Sequence, residues 1–163
     1  MYKKENTPFS TKDIKITNAS MTLFSLLNRL KYDEIDLSPS FRKDTPLWNK
    51  KKMSRFIESI LLKLPLPILY FDVENPDKWV VVDGVQRLSA LKAFIYGDEN
   101  THKLRLTDLE FLTHLEGKTY EELERPLKRI IDATEVITYQ IEAQTPKEVR
   151  YAIYKRINAG RIK

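Results

Sequence analysis

The sequence predicts one α+β domain from three observations. The chain has 163 residues, 42% hydrophobic and 31% charged, and its apolar residues recur with a helical period in some segments and a strand period in others. That length suits one core, and four glycines and eight prolines exclude a fibrous or disordered chain. No apolar run reaches the ~20 residues of a bilayer-spanning helix, and the start, MYKKENTPFSTKD, lacks a signal peptide's apolar stretch. No membrane association and a cytoplasmic location are expected.

The elements follow in order. Residues 1–12 are polar, contain Pro8 and show no period, so a loose arm is expected before a domain over 13–163. Ile14 and Ile16 predict a short strand over 12–17. Asn18 or Ser20 can then cap a helix whose stripe is Leu23, Leu26, Leu27 and Leu30. An extended piece around Ile35 and Leu37 precedes SPSFRKDTPLW, residues 38–48, whose two prolines mark a loop of the kind that can carry function. Met53, Phe56, Ile57, Ile60, Leu61 and Leu64 recur at helical spacing up to Pro65 and Pro67, which stop the helix.

Ile68 to Asp72 reads as a strand and Asn75-Pro76-Asp77 as a turn. Trp79 to Val82 is a wholly apolar strand ending at Asp83-Gly84. Leu88, Leu91, Phe94 and Ile95 define a helix from about Val85 to just before Gly97. Lys103 to Leu106 is expected as a strand, and the apolar stretch from Leu109 to Leu115 has no clear period. Thr119-x-x-Glu122 is a capping box ahead of Leu123, Leu127, Ile130 and Ile131, with Pro126 kinking that helix or delaying its start. Glu135 to Ile141 alternates as a strand half-buried on one face. Thr145-Pro146-Lys147-Glu148 is a second capping box, opening a helix through Val149, Ile153 and Ile157. With no repeat or linker, the expected architecture is a small mixed sheet with about five helices.

The absence of cysteine excludes disulfides, thiolate nucleophiles and cysteine-ligated metals. His102 and His114 lie in no metal-binding or triad pattern and read as surface or core-edge residues. Net charge is +5, and residues 1–60 carry the excess, with twelve Lys and Arg against seven acids. Its densest point is Lys50, Lys51, Lys52 and Arg55, which can touch nucleic-acid phosphate or simply form the solvated start of a helix.

The strand–turn–helix from Trp79 to Ile95 carries the most information about function. It sets Asp83, Gly84, Val85, Gln86 and Arg87 at a helix N-terminus, where backbone N–H groups and the helix dipole favour an anion. Gly84 allows close approach of a phosphate, Arg87 can grip one with its bidentate fork, and Asp83 can hold magnesium or position a water. Asp-Gly is also a common turn dipeptide and Asp a common cap, so a purely structural reading stands beside this one.

VVVDGVQRLSALKAF resembles the DGQQR signature of domain-of-unknown-function family 262, the N-terminal domain of GmrSD-type modification-dependent restriction enzymes and of related phage-defence proteins. Two further stretches match in order. Upstream are Arg42, Trp48 and Glu58-Ser59-Ile60-Leu61-Leu62-Lys63-Leu64-Pro65-Leu66-Pro67; downstream is Arg156-Ile157-Asn158-Ala159-Gly160. The resemblance implies a ParB/sulfiredoxin-like fold and binding, with hydrolysis, of a nucleoside triphosphate, GTP foremost, with magnesium. It implies Asp83, Gln86 and Arg87 as the catalytic set, Asp83 as the magnesium ligand, and Gly84, Gln86, Arg87, Arg42, Arg156 and Asn158 around the nucleotide. Arg42 could instead pair with a surface acid, Trp48 could be a core anchor, and Arg156 and Asn158 could cap a helix.

The resemblance further implies a nuclease or effector domain or subunit as partner. Family members continue past the point where this chain ends, often into an HNH-type nuclease domain, so either a C-terminally trimmed domain or a minimal member is expected, and in neither case one that cuts DNA unaided. Val85 stands where the motif has its first Gln, and Arg161 where a second glycine is usual. Two other readings stand open: a DNA-binding module using the basic N-terminal third, and a degenerate regulatory or protein-interaction domain in which Val85 has removed the chemistry. A homodimer fits any of the three. Under the nucleotide reading, Arg87→Ala is expected to abolish binding with little change in melting.

Overall fold

The computed structural model describes residues 8–37, 47–97 and 103–159. Its strands are β1 (Ile16–Thr22), β2 (Ile35–Asp36), β3 (Leu69–Asp72), β4 (Trp79–Asp83) and β5 (Glu135–Ile141). The helices are α1 (Leu23–Lys31), α2 (Lys50–Leu61), α3 (Val85–Ile95), α4 (Arg125–Ala133) and α5 (Lys147–Ala159). The strands form one mixed sheet in the order β1-β5-β3-β4-β2. β1–β5 and β3–β4 pair antiparallel, β3–β5 and β2–β4 parallel. The α+β class and the five helices are those expected from the periodicity.

One sheet face carries the main core. Leu69, Phe71, Val81 and Val136 pack with Leu23 and Leu26 of α1, Ile57 and Ile60 of α2, Leu88, Leu91 and Phe94 of α3, and Ile131 of α4. Val82 and Ile141, both 0% exposed, lie outside that cluster, and α5 packs against β4. Asp72 anchors α5 there: it accepts from the Arg150 guanidinium and from the Tyr154 hydroxyl. Arg150 Nη2 also donates to Glu142 O at 2.8 Å and Thr145 O at 3.3 Å. Burial works against the Arg150 charge, but the bond and charge of Asp72 outweigh it and hold the guanidinium above its ordinary value. Burial and the same Asp72 bond push the Tyr154 phenol up.

Several boundaries differ from the sequence expectation. The first strand runs through Asn18 and Ser20, because its pairing with β5 extends to Thr22, and the Thr22 hydroxyl caps α1 by accepting from Ser25 N at 3.2 Å. α2 stops before its prolines: Lys63 takes a left-handed conformation (φ 61), Lys63 N donates to Ile60 O and Leu64 N to Ser59 O, a Schellman closure. The Thr119–Glu122 box caps only a single turn, Tyr120–Glu122, and α4 starts later with Pro126 in its first turn. Thr145 gives its hydroxyl to Lys15, donating to its carbonyl at 3.0 Å and accepting from its N–H at 3.1 Å.

Lys103 to Leu106 is not a strand. Leu104 N bonds Ala93 O and Leu106 N bonds Lys118 O, contacts too scattered for a ladder. The segment that follows is pinned to α2 by side chains. Ser54 Oγ accepts from Thr107 N at 3.1 Å, and Arg55 donates to Asp108 O and pairs with Glu110 at 3.5 Å. Glu58, 3% exposed, accepts from the N–H groups of Glu110, Phe111 and Leu112 at 3.1, 2.9 and 2.8 Å. Among the described residues no helix is long and apolar enough to cross a membrane.

Burial alone would raise the Glu58 carboxyl, but the three N–H groups, with Arg55 nearby, hold it below its ordinary value of 4.5. A depressed acid stabilises the fold above its ordinary value and loses that contribution as pH falls through the lower folded-state value. Glu58→Gln should therefore cost about 1–3 kcal/mol at pH 7, and the cost should shrink in acid below pH 4.5. Urea unfolding across pH 3–7 reads this, and a constant difference between variant and wild type at every pH would refute it.

Candidate functional site

The turn between β4 and α3 is built by packing from three sides. Gly84 opens α3 at φ 121, and a Cβ there would overlap Leu69 Cδ2, so the conformation and the β3 contact both require glycine. Val85, 7% exposed, belongs to the main core. Arg87, also 7% exposed, donates to Pro67 O at 2.6 Å and Ile68 O at 3.2 Å, and its Nη2 lies 3.6 Å from Asp83 Oδ1. Gln86 Oε1 accepts from Trp48 N at 2.9 Å, which joins the chain just before α2 to the turn. Arg42 itself lies outside the described residues, as do Gly160 and Arg161.

A register shift sets Asp83. Phe71 pairs with Val81 and Asp72 with Val80, yet Tyr70 pairs with Asp83, so β4 carries one extra residue, Val82, at its end. Such bulges re-aim a strand where it leaves the sheet. The shift places Asp83 in a row across four strands with Tyr70, Tyr139 and Asn18.

The other expected residues sit as follows. Trp48 is half-buried, edge-on to Phe56 at 5.9 Å with Lys52 Nζ 5.0 Å over its ring, so it is a core-edge anchor here. Lys50, Lys51 and Lys52 are exposed in the first turn of α2, which Asn49 caps by accepting from Lys52 N at 2.9 Å. Arg55 is taken up by the Asp108 and Glu110 contacts. Arg156 is exposed near the end of α5, and Asn158 Nδ2 donates to Tyr154 O at 2.8 Å within the same helix. No group of three or more His, Asp and Glu residues able to hold a metal occurs among the described residues. A magnesium ion held by Asp83 would take phosphate oxygens and waters as its other ligands, the usual pattern for that ion.

The family model for the GmrSD restriction endonuclease N-terminal domain matches residues 23–163, which takes in all three motif stretches and begins just after β1. The chain belongs to this family. Its setting is therefore a restriction system, with a nuclease domain as the expected companion of a GmrSD N-terminal domain. No curated protein and no solved structure matches the chain.

The sequence alone did not single out Glu58, Asp72, Arg150 and Tyr154 as fixing residues, nor Tyr70 and Tyr139. Glu58 stood in a quoted motif but carried no visible partner; the others meet only through pairing of strands distant in sequence. The burial of Arg87 also changes the expectation for its removal. Arg87→Ala leaves the Pro67 and Ile68 carbonyls and the Asp83 carboxylate without the guanidinium they share, so a stability loss of about 1–3 kcal/mol should accompany any loss of binding. A melting temperature equal to that of the wild type would overturn this structural role.

Proposed function

We propose that this GmrSD N-terminal domain binds a nucleoside triphosphate, GTP foremost, at the N-terminus of α3 in the cytoplasm, and hydrolyses it to license a partner nuclease. The reading is carried by one contrast. α1 and α2 have side-chain caps from Thr22 and Asn49, whereas α3 and α4 have none, and of these two α3 starts at a glycine beside a carboxylate and a guanidinium. An uncapped helix start next to a cation is the arrangement that phosphate oxygens complete.

In this reading the backbone of Gly84 to Arg87 receives the phosphates, and Asp83 holds magnesium or orients the attacking water. Gln86 fixes the Trp48 backbone against the turn, and α5, which carries Arg156 and Asn158 toward its end, packs against β4. Calorimetric titration with GTP, ATP, CTP and UTP in magnesium tests it, followed by phosphate release. We expect binding that Asp83→Asn weakens at least tenfold; silence with all four nucleotides sinks the proposal and leaves the degenerate regulatory domain.

DNA binding is a second reading, favoured by Lys50, Lys51 and Lys52, which crowd a helix N-terminus whose dipole disfavours cations. If these lysines meet DNA phosphates, replacing all three by Gln should reduce the slope of log affinity against log salt by up to about 2.7, at ~0.9 per phosphate. An unchanged slope would reject it.

A further inference from the structure

The sheet face that carries Asp72 is covered by α5 toward β4 and opens toward β1, where Asn18, Ser20 and Ile137 are exposed, Ile137 by 50%. Tyr70 and Tyr139 stack in that opening, ring centroids 5.1 Å apart and planes 26° from parallel. Both are half-buried, and they occupy the row that runs from Asn18 on β1 to Asp83 at the turn. Each ring restrains the other, so a base that stacks here would find little rotamer entropy left to lose. Asn18, next in the row beyond Tyr139, is too short to cover an aromatic face and brings both an amide donor and an acceptor. Burial, with Tyr139 adding to it, raises the Tyr70 phenol, so it stays neutral near any bound phosphate.

We propose that Tyr139, backed by Tyr70, is the stacking surface for the base of the nucleoside triphosphate, with Asn18 facing the base edge. The assignment rests on the nucleotide reading above and names where the rest of that ligand lies. Strand spacing of ~4.8 Å sets Tyr139 about 10 Å from Asp83 along the row. The ribose and first phosphate of a nucleotide can cross that gap, which leaves the remaining phosphates at the start of α3. The stack grips any base, and Asn18 supplies the preference among bases.

The test titrates the full chain and its variants with GTP, with ATP and with inorganic tripolyphosphate, which has no base. Tyr139→Ala should lose about 5- to 150-fold in affinity for GTP, the range for loss of one aromatic–base stack. It should bind tripolyphosphate as the wild type does. Tyr139→Phe should keep GTP affinity, and Asn18→Ala should change the ratio of GTP to ATP affinity. Where Tyr139→Ala does not fold, Tyr139→Leu keeps the apolar bulk and should show the same selective loss. Unchanged GTP affinity in Tyr139→Ala or Tyr139→Leu, while Asp83→Asn loses it, overturns the stacking surface and leaves the nucleotide reading intact. Loss of single-stranded oligonucleotide binding with GTP affinity untouched also overturns it. A wild type that binds none of these ligands removes the nucleotide reading and the stacking surface together.

Discussion

The Arg87 guanidinium is the junction on which this architecture depends. From the first turn of α3 it reaches the carbonyls of Pro67 and Ile68, just before β3, and lies 3.6 Å from Asp83 at the end of β4. Three elements thus share one buried cation. Chain just outside a strand has carbonyls without ladder partners, and leaving them dry and unbonded costs free energy. The charged fork satisfies two of them at once, and its distance from Asp83 keeps the carboxylate at the turn compensated. The same geometry lets Leu69 press on Gly84, because the entry to β3 is drawn against the helix start.

Two further buried ionic groups extend this logic to the periphery. Glu58 gathers three consecutive N–H groups of a segment with no helix or strand of its own, and Asp72 with Arg150 and Tyr154 fastens α5 to the second sheet face. Each replaces a missing backbone partner by a side chain sent across the fold. A buried pair of this kind weakens sharply when one member is removed, although its net contribution when intact is modest. It restricts the packing to one arrangement.

How much of this could be read in the sequence depended on range. The Met53–Leu61 stripe, the Trp79–Val82 run and the helix after Gly84 depend on neighbours within four residues, and they appear where expected, while Leu64, the last residue of the expected stripe, lies past the end of α2 and is exposed. Lys103–Leu106 misled because its alternating residues are buried singly, Leu104 N–H bonding α3 and Leu106 N–H a loop. Ser20 misled because a cap signal inside a strand is overridden by seven residues of pairing with β5, a partner more than a hundred residues away. The Asp83 bulge and the Tyr70–Tyr139 stack were invisible for the same reason: no local pattern announces which strands become neighbours.

The DGVQR stretch divides into scaffold and candidate site along lines its spelling does not reveal. Gly84 answers Leu69, Val85 fills the core, Arg87 holds the β3 entry, and Gln86 grips the Trp48 backbone. Every side chain of the turn therefore has a structural task at short range, Asp83 included through its ion pair with Arg87. A phosphate at this turn would meet mainly backbone N–H groups and one carboxylate, so the motif works chiefly by holding the backbone in place. The departure at position 85 then acquires a physical meaning. A valine buried to 7% exposure is consistent with the apolar pocket it occupies, where a glutamine amide would need partners that an apolar core does not offer. In this chain position 85 belongs to the packing that shapes the turn.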